Sequence, residues 1–270
     1  MIQLLALDLD DTLLREDLTI SPRNQQVLKA AEEQGVKIIL ASGRAFSAME
    51  KYARQLGMFD RPGYMISDNG STVTSTLPRG LLVQHTLPRP LLRHLLNAFE
   101  VLDLPVQVYQ DTTILVTKDN PITGTDMKLS GFSRRIVHDM ANTLTFDPTK
   151  LVIPGDPEVL PTALAVIRST FGDRVNAFIS KPYFLEVLPV QADKGTALAY
   201  VADSLGIPHD KVMAMGDAAN DLGMIRWAGW GVAMANGTAE VKEAARIVSQ
   251  FSHEDDGVAE VVERYILRKG

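Results

Sequence analysis

Apolar residues fall in short runs that end on polar positions, and these runs alternate with stretches of helical period. Residues 2–7 form one such run, stopping at Asp8, the pattern of a buried strand. Ser21-Pro22 then signals a helix start, with Ser21 as N-cap and Pro22 at the first helical position. That helix extends to about Gln34 and stops at Gly35. Residues 36–41 predict a second buried strand, Ser42-Gly43-Arg44 turns into a helix ending near Gly57, and residues 64–67 predict a third strand. Strands that are apolar throughout and alternate with helices predict a parallel sheet covered on both faces.

The last third follows the same alternation. Helices are expected over 195–205, 220–228 and 238–246, and strands over 212–215 and 231–234. These strands would extend the first sheet. The rhythm of residues 83–188 is different: a helix over 91–101, strands over 106–109, 114–117 and 151–153, a helix over 159–170, and strand character over 175–187. This mixture predicts a separate, mostly antiparallel sheet with helices on one face. The expected fold is therefore α/β: a Rossmann-like, doubly wound core from residues 1–82 and 189–270, with an α/β domain inserted at 83–188.

Composition narrows the functions open to such a fold. The chain has 270 residues, 46% of them hydrophobic, enough for two cores. A formal charge of -6 without a Lys/Arg-rich run argues against a nucleic-acid partner. No cysteine is present, which excludes disulfides, zinc–thiolate sites and cysteine catalysis. The apolar start is interrupted by Asp8 and lacks a basic flank, so it reads as neither signal peptide nor membrane span. A cytoplasmic enzyme is expected, with no membrane association and no evident protein partner.

The chemistry-bearing residues lie where the predicted strands end. Asp8-Leu9-Asp10-Asp11-Thr12 follows the first strand, at the carboxyl edge where open parallel sheets bind ligands. Alternation along an extended chain would point Asp8 and Asp10 to one side. A lone Asp there would merely begin a turn, but this stretch holds three acids in four positions. Ser42 reads as a helix N-cap, a role compatible with a hydroxyl and free N–H groups binding phosphate. Lys194 opens a helix, where a cation opposes the dipole by only a fraction of a kcal/mol; this leaves room for a solvated surface lysine, while an anion bound between lysine and helix end would turn the penalty into an advantage. In Gly216-Asp217-Ala218-Ala219-Asn220-Asp221, either Asp can cap a helix, or both can converge on one cation. Such hard oxygen ligands suit Mg2+. Two carboxylates about 4 Å apart repel by roughly 4 kcal/mol at an effective dielectric near 20. A cluster of Asp8, Asp10, Asp217 and Asp221 facing a phosphate would therefore need a divalent cation and Lys194.

Asp8-Leu9-Asp10-Asp11-Thr12, Ser42-Gly43, Lys194 and Gly216-Asp217-x-x-Asn220-Asp221 occur in the order of the four motifs of the haloacid dehalogenase superfamily, which the chain resembles over essentially its full length. Ala41-Ser42-Gly43-Arg44, Asp68-Asn69-Gly70 and Pro182-Tyr183-Phe184-Leu185-Glu186 resemble signatures of its Cof-type sugar-phosphatase branch, whose large cap domain matches the insertion. The resemblance implies that Asp8 is a nucleophile forming an aspartyl-phosphate and that Asp10 is the general acid and base. It implies metal ligation by the Asp8 carboxylate, the Asp10 carbonyl and the Asp217 carboxylate, with Asp221 acting mostly through metal-bound water. Ser42, Gly43, Lys194 and Asn220 would hold the phosphoryl group of a small phosphorylated metabolite, and Thr12 would steady the first loop. The family usually has glycine where this chain has Asp11, which keeps the N–H but adds bulk and charge. Asn69-Gly70, lying between strand-like runs, reads as a hairpin turn ahead of a substrate contact.

Two other readings share these residues. A phosphotransferase or phosphomutase would use the same Asp8 chemistry with a sugar as acceptor. A phospho-aspartate signalling module also has an acidic pair, a hydroxyl and a lysine, but its phosphorylated Asp follows a later strand and the C-terminal Asp pair is missing. Dinucleotide binding is weaker, because no Gly-x-Gly-x-x-Gly follows the first strand.

Overall fold

The computed structural model describes residues 1–267. The chain forms two compact units, one from Met1–Val83 together with the chain from Asp193 on, the other from Gln84–Ala192. The second unit thus ends four residues later than the 83–188 span expected from the sequence; Ala192 is held to it by Asn176, whose Nδ2 donates to the Ala192 carbonyl at 3.0 Å.

The first unit begins with β1 (Leu4–Leu7), α1 (Pro22–Glu33), β2 (Lys37–Ala41), α2 (Phe46–Gln55), β3 (Tyr64–Ser67), β4 (Thr72–Thr76) and β5 (Arg79–Gln84). The start of α1 follows its sequence signals: Ser21 Oγ accepts from the Asn24 N–H at 3.0 Å, with Pro22 in the first turn. Beyond its end Gly35 takes φ +88°, a left-handed conformation that costs glycine little.

The second unit contains α3 (Arg89–Val101), β6 (Gln107–Gln110), β7 (Thr113–Val116), α4 (Thr123–Ser130), β8 (Ser133–Ile136), α5 (Met140–Thr143), β9 (Leu151–Pro154), α6 (Leu160–Phe171), β10 (Val175–Lys181) and β11 (Phe184–Pro189). Its sheet runs β10-β11-β9-β6-β7-β8, antiparallel except for the parallel β7–β8 pair. Val108, Leu115, Leu151, Ile153, Leu185 and Val187 form a core with α3 and α6. The expectation of helices on one face needs correction. Gln107 and Tyr109 alternate to the other face, where Gln107 Nε2 donates to the Thr123 carbonyl at 3.4 Å and the Tyr109 hydroxyl bonds Asp126 of α4. Polar side chains on that face give α4 its attachment.

The chain re-enters the first unit and adds α7 (Lys194–Ser204), β12 (Val212–Gly216), α8 (Leu222–Trp227), β13 (Trp230–Ala233), α9 (Ala239–Ala244), β14 (Ile247–Val248) and α10 (Gly257–Tyr265). The sheet order is β14-β13-β12-β1-β2-β3-β4-β5. β14 through β3 are parallel, and β4 turns back antiparallel to β3. Alternate strand residues separate onto two layers. Leu5, Leu7, Leu40 and Met215 pack with α1, α2 and α10, while Leu4, Ala6, Ile39 and Ala214 pack with α7, α8 and α9. This is the doubly wound α/β arrangement, and the strand order reverses beside β1. Among the described residues no helix is long and apolar enough to cross a membrane.

Candidate active site

Asp8 leaves β1 at its carboxyl end, and its N–H donates to the Met215 carbonyl of β12 at 3.0 Å. The chain then departs from the extended path assumed in the sequence argument. Residues Leu9–Leu13 wind into a tight turn in which Asp10 is extended (φ -70°, ψ 131°) and Asp11 is left-handed (φ 58°). Simple strand alternation therefore does not govern how Asp8 and Asp10 sit; the turn does. A left-handed residue explains a preference for glycine at position 11, and Asp is among the residues that tolerate it. The Asp11 carbonyl accepts from Asn236 Nδ2 at 2.7 Å, and its carboxyl lies 3.9 Å from His253 Nε2.

Asp8 shares the even-numbered register of Leu4 and Ala6, whose face is covered by α7. Lys194 at the start of α7 reaches it there: its Nζ donates to Asp8 Oδ1 at 2.7 Å and to Asp221 Oδ1 at 2.6 Å. Lys194 and Asp221 are both fully buried. The reading of Lys194 as a solvated surface lysine is thereby excluded. Burial works against its charge, but the charges and hydrogen bonds of Asp221 and Asp8 outweigh that and hold its pKa above the ordinary lysine value. Burial and the neighbouring Asp221 raise the Asp8 carboxyl well above the usual carboxylate range, with Lys194 opposing and Asp217 and Asp10 adding to the rise.

Asp221 Oδ2 accepts the N–H groups of Asp217 and Ala218 at 3.0 and 3.1 Å, so its carboxylate orders the loop that presents Asp217. Thr12 Oγ1 donates to Asp217 Oδ1 at 3.2 Å, tying the first loop to this one. Ligand oxygens of Asp8, Asp217 and Asp221 lie within 4.8 Å of one another. A set of close carboxylates, one with its charge held back by its neighbours, fits a hard divalent cation.

Ser42 follows β2 and is fully buried. The cap reading is corrected: α2 starts at Phe46 with Ala45 at its N-cap, and Ser42 Oγ accepts instead from the Arg44 N–H at 3.1 Å. Ser42 thus shapes the loop before the helix. Asn220 Nδ2 donates to Asn69 Oδ1 at 3.0 Å. A Cβ on Gly43 would stand 3.0 Å from both amide atoms of Asn69, so glycine is what the packing admits without a shift. Asn69 and Gly70 do form the turn between antiparallel β3 and β4. Asp68, Asn69 and Gly70 all have positive φ (50°, 53° and 90°), and a Cβ on Gly70 would stand 2.3 Å from the Asp193 carbonyl. The hairpin thereby lies against Asp193, whose Oδ1 caps α7 by accepting from Thr196 N–H at 2.8 Å.

Two residues acquire a place here that the sequence reading did not give them. Asn69 touches both Gly43 and Asn220, and Arg44 makes a two-bond contact with Asp10: Nε to Oδ2 at 2.8 Å and Nη2 to Oδ1 at 2.7 Å. Their signals were an Asn-Gly between strand-like runs and an arginine beside a phosphate-type Ser-Gly.

Replacing Lys194 by Ala is expected to destabilise the first unit by about 3–5 kcal/mol, because two buried carboxylates lose their shared cation. Chemical denaturation of the metal-free protein measures this. A second change, Asp8→Asn, is expected to recover part of the loss; no recovery would show that charge is not the cause.

The chain belongs to the haloacid dehalogenase-like hydrolase family, matching it over residues 5–262. It is 30% identical over 271 residues to an HMP-PP phosphatase of Serratia proteamaculans, covering 98% of this chain and 96% of that protein. It is 26% identical over 268 residues, 97% of each chain, to the 5-amino-6-(5-phospho-D-ribitylamino)uracil phosphatase YitU of Bacillus subtilis. The crystal structure of a haloacid dehalogenase-like hydrolase from Bacteroides thetaiotaomicron, 31% identical, superposes with a TM-score of 0.90 over 98% of this chain and 99% of that one.

Proposed function

We propose that this protein is a magnesium-dependent phosphatase of the cytoplasm that hydrolyses small phosphorylated metabolites, sugar phosphates foremost, through an aspartyl-phosphate on Asp8. The observation that carries this reading is the convergence of Asp8, Asp217 and Asp221 at adjoining strand ends, with Lys194 buried between Asp8 and Asp221. The related proteins named as phosphatases of HMP-PP and of a phosphoribitylamino-uracil support the substrate class.

In this mechanism one Asp8 oxygen attacks phosphorus, and the bond from phosphorus to the leaving alcohol breaks. Asp10 gives its proton to the departing oxygen, then takes one from the water that attacks phosphorus and frees Asp8. Lys194 stays on Asp8 and orients the attacking carboxylate. Ser42, Gly43 and Asn220 hold the phosphoryl oxygens, with Asn69 fixing the Asn220 amide. Mg2+, held by the carboxylates of Asp8 and Asp217 and the Asp10 carbonyl, would neutralise charge on the phosphoryl group. Asp221 acts on the Asp217 loop through its two backbone contacts.

The test is phosphate release from a panel of phosphorylated sugars and cofactor precursors, with acid-quench trapping of phosphate on Asp8. Release into water without an added bisphosphate favours hydrolysis; transfer to a sugar favours a mutase. Lasting phosphorylation without turnover would favour a signalling module.

The Gln84–Ala192 unit is assigned the choice of leaving group. Its α4-bearing face carries a buried ion pair, Lys150 Nζ to Glu186 Oε2 at 3.3 Å, with Lys150 Nζ 5.0 Å from the Tyr109 ring centre. Buried charge pairs add little net stability, and in this reading the pair takes part in substrate recognition. Tyr109→Phe and Glu186→Gln are expected to reorder kcat/KM across the panel by about ten-fold or more while leaving the magnesium requirement unchanged. An unchanged ranking would locate specificity elsewhere.

A further inference from the structure

The Arg44–Asp10 pair bears on how the site changes when substrate arrives. Both carboxylate oxygens of Asp10 receive guanidinium donors, at 2.8 and 2.7 Å, in the parallel two-bond geometry that is the strongest arrangement for this pair. The guanidinium is well fixed: the Arg44 side chain is 9% exposed and lies over the Tyr52 ring at 5.7 Å. Its backbone is fixed too, by Ser42 Oγ on the Arg44 N–H and by the Asp68 N–H on the Arg44 carbonyl. Asp10 is the more accessible partner, its side chain 31% exposed. The negative charge of Asp8 also acts on Arg44, so the cation stands within electrostatic reach of the residue that would carry the phosphoryl group.

An Asp10 carboxylate with both oxygens engaged is poorly placed to serve a leaving alcohol or a water. A phosphate dianion is a better partner for a guanidinium than one carboxylate is, since it offers more oxygens and more charge. We propose that Arg44 is a positioning residue that locks Asp10 through the two-bond contact and, when a phosphoryl dianion enters, transfers N–H bonds to it and so frees Asp10. Substrate binding would then itself arm the proton-transfer residue. The proposal rests on the assignment of Asp10 to proton transfer.

The test is a double-mutant cycle read by inorganic phosphate binding to the magnesium-loaded full chain, measured by calorimetry. Asp10→Asn keeps the shape but weakens the competing ion pair, so phosphate should bind about ten-fold more tightly than to wild type. In an Arg44→Ala background the same Asp10→Asn change should improve binding by less than about two-fold. Arg44→Lys, which keeps the charge but not the two-bond geometry, should give an intermediate gain and guards against misfolding of the alanine variant. An equal gain with and without Arg44 would mean that mere removal of a negative charge is responsible, and the lock would be wrong. No gain in either background would also overturn it. Absence of phosphate binding in all of these proteins would defeat the phosphatase reading and the lock together, whereas binding with an Arg44-independent gain defeats the lock alone.

Discussion

Asp8→Asn is expected to lower kcat by roughly 10^4- to 10^6-fold, the range seen when a covalent nucleophile or its essential partner is removed. The amide is nearly isosteric with the carboxylate but has no anionic oxygen to attack phosphorus. The fold should survive, and the metal-free variant should melt higher than wild type. The reason lies in linkage. The Asp8 carboxyl is raised above its unfolded value by burial and by Asp221, so the folded state binds the extra proton more readily. Its contribution to stability is therefore present at low pH and declines as pH rises through the folded value. Above that value the ionised Asp8 is a burden that asparagine removes. Steady-state phosphate release and thermal melting in EDTA measure the two effects. Near-native turnover by the variant would show that Asp8 is not the nucleophile.

The core's architecture was legible because its signals are local. Leu4–Leu7 and Val212–Gly216 are buried on both faces, so each strand is a continuous apolar run that needs no partner to be read. Ser21, Pro22 and Gly35 mark one helix by mechanisms confined to a few residues. The order of Asp8, Ser42, Lys194 and Asp217 along the chain likewise pointed to one sheet edge. What the sequence concealed is where the backbone turns left-handed on residues other than glycine. Asp11, Asp68 and Asn69 do so, at φ 58°, 50° and 53°. Propensity favours glycine there, and only the surrounding contacts hold an acid or amide in that conformation. The hairpin at Asn69 was readable, but its contact with Asn220 joins residues 151 positions apart. The Arg44–Asp10 pair spans 34 positions. In the second unit helices were expected on one face only, because α4, on the face of Gln107 and Tyr109, has weak amphipathic character in its sequence, Thr-Gly-Thr-Asp-Met-Lys-Leu-Ser. Such a helix is held by specific polar contacts and not by an apolar stripe.

Stripping divalent metal with EDTA is expected to abolish turnover, and added magnesium to restore it. Asp8, Asp217 and Asp221 bring their oxygens within 4.8 Å, and Lys194 bonds two of the three. The charge of Lys194 matches only one carboxylate, so the cluster keeps an excess of negative charge before a phosphate dianion approaches. Each like-charge contact near 4 Å costs roughly 4 kcal/mol at an effective dielectric of about 20. A divalent cation among these oxygens would offset that repulsion more fully than Lys194 alone. Calcium is expected to substitute badly, because its longer bonds and higher coordination number spread the oxygens that a compact octahedral ion gathers. Asp217→Ala should raise the magnesium concentration needed for half-maximal activity or abolish activity outright. Binding also has a readout independent of turnover. The cation needs Asp8 ionised, while the protein holds the Asp8 pKa high, so protons and metal compete for the same oxygens. Magnesium affinity measured by calorimetry should therefore weaken as pH falls through the raised Asp8 value, and the Asp8→Asn variant should bind more weakly with a flatter pH response. Undiminished phosphate release from rigorously metal-free protein would sink the assignment, because in this reading the metal supplies the charge that Lys194 and Arg44 leave unbalanced.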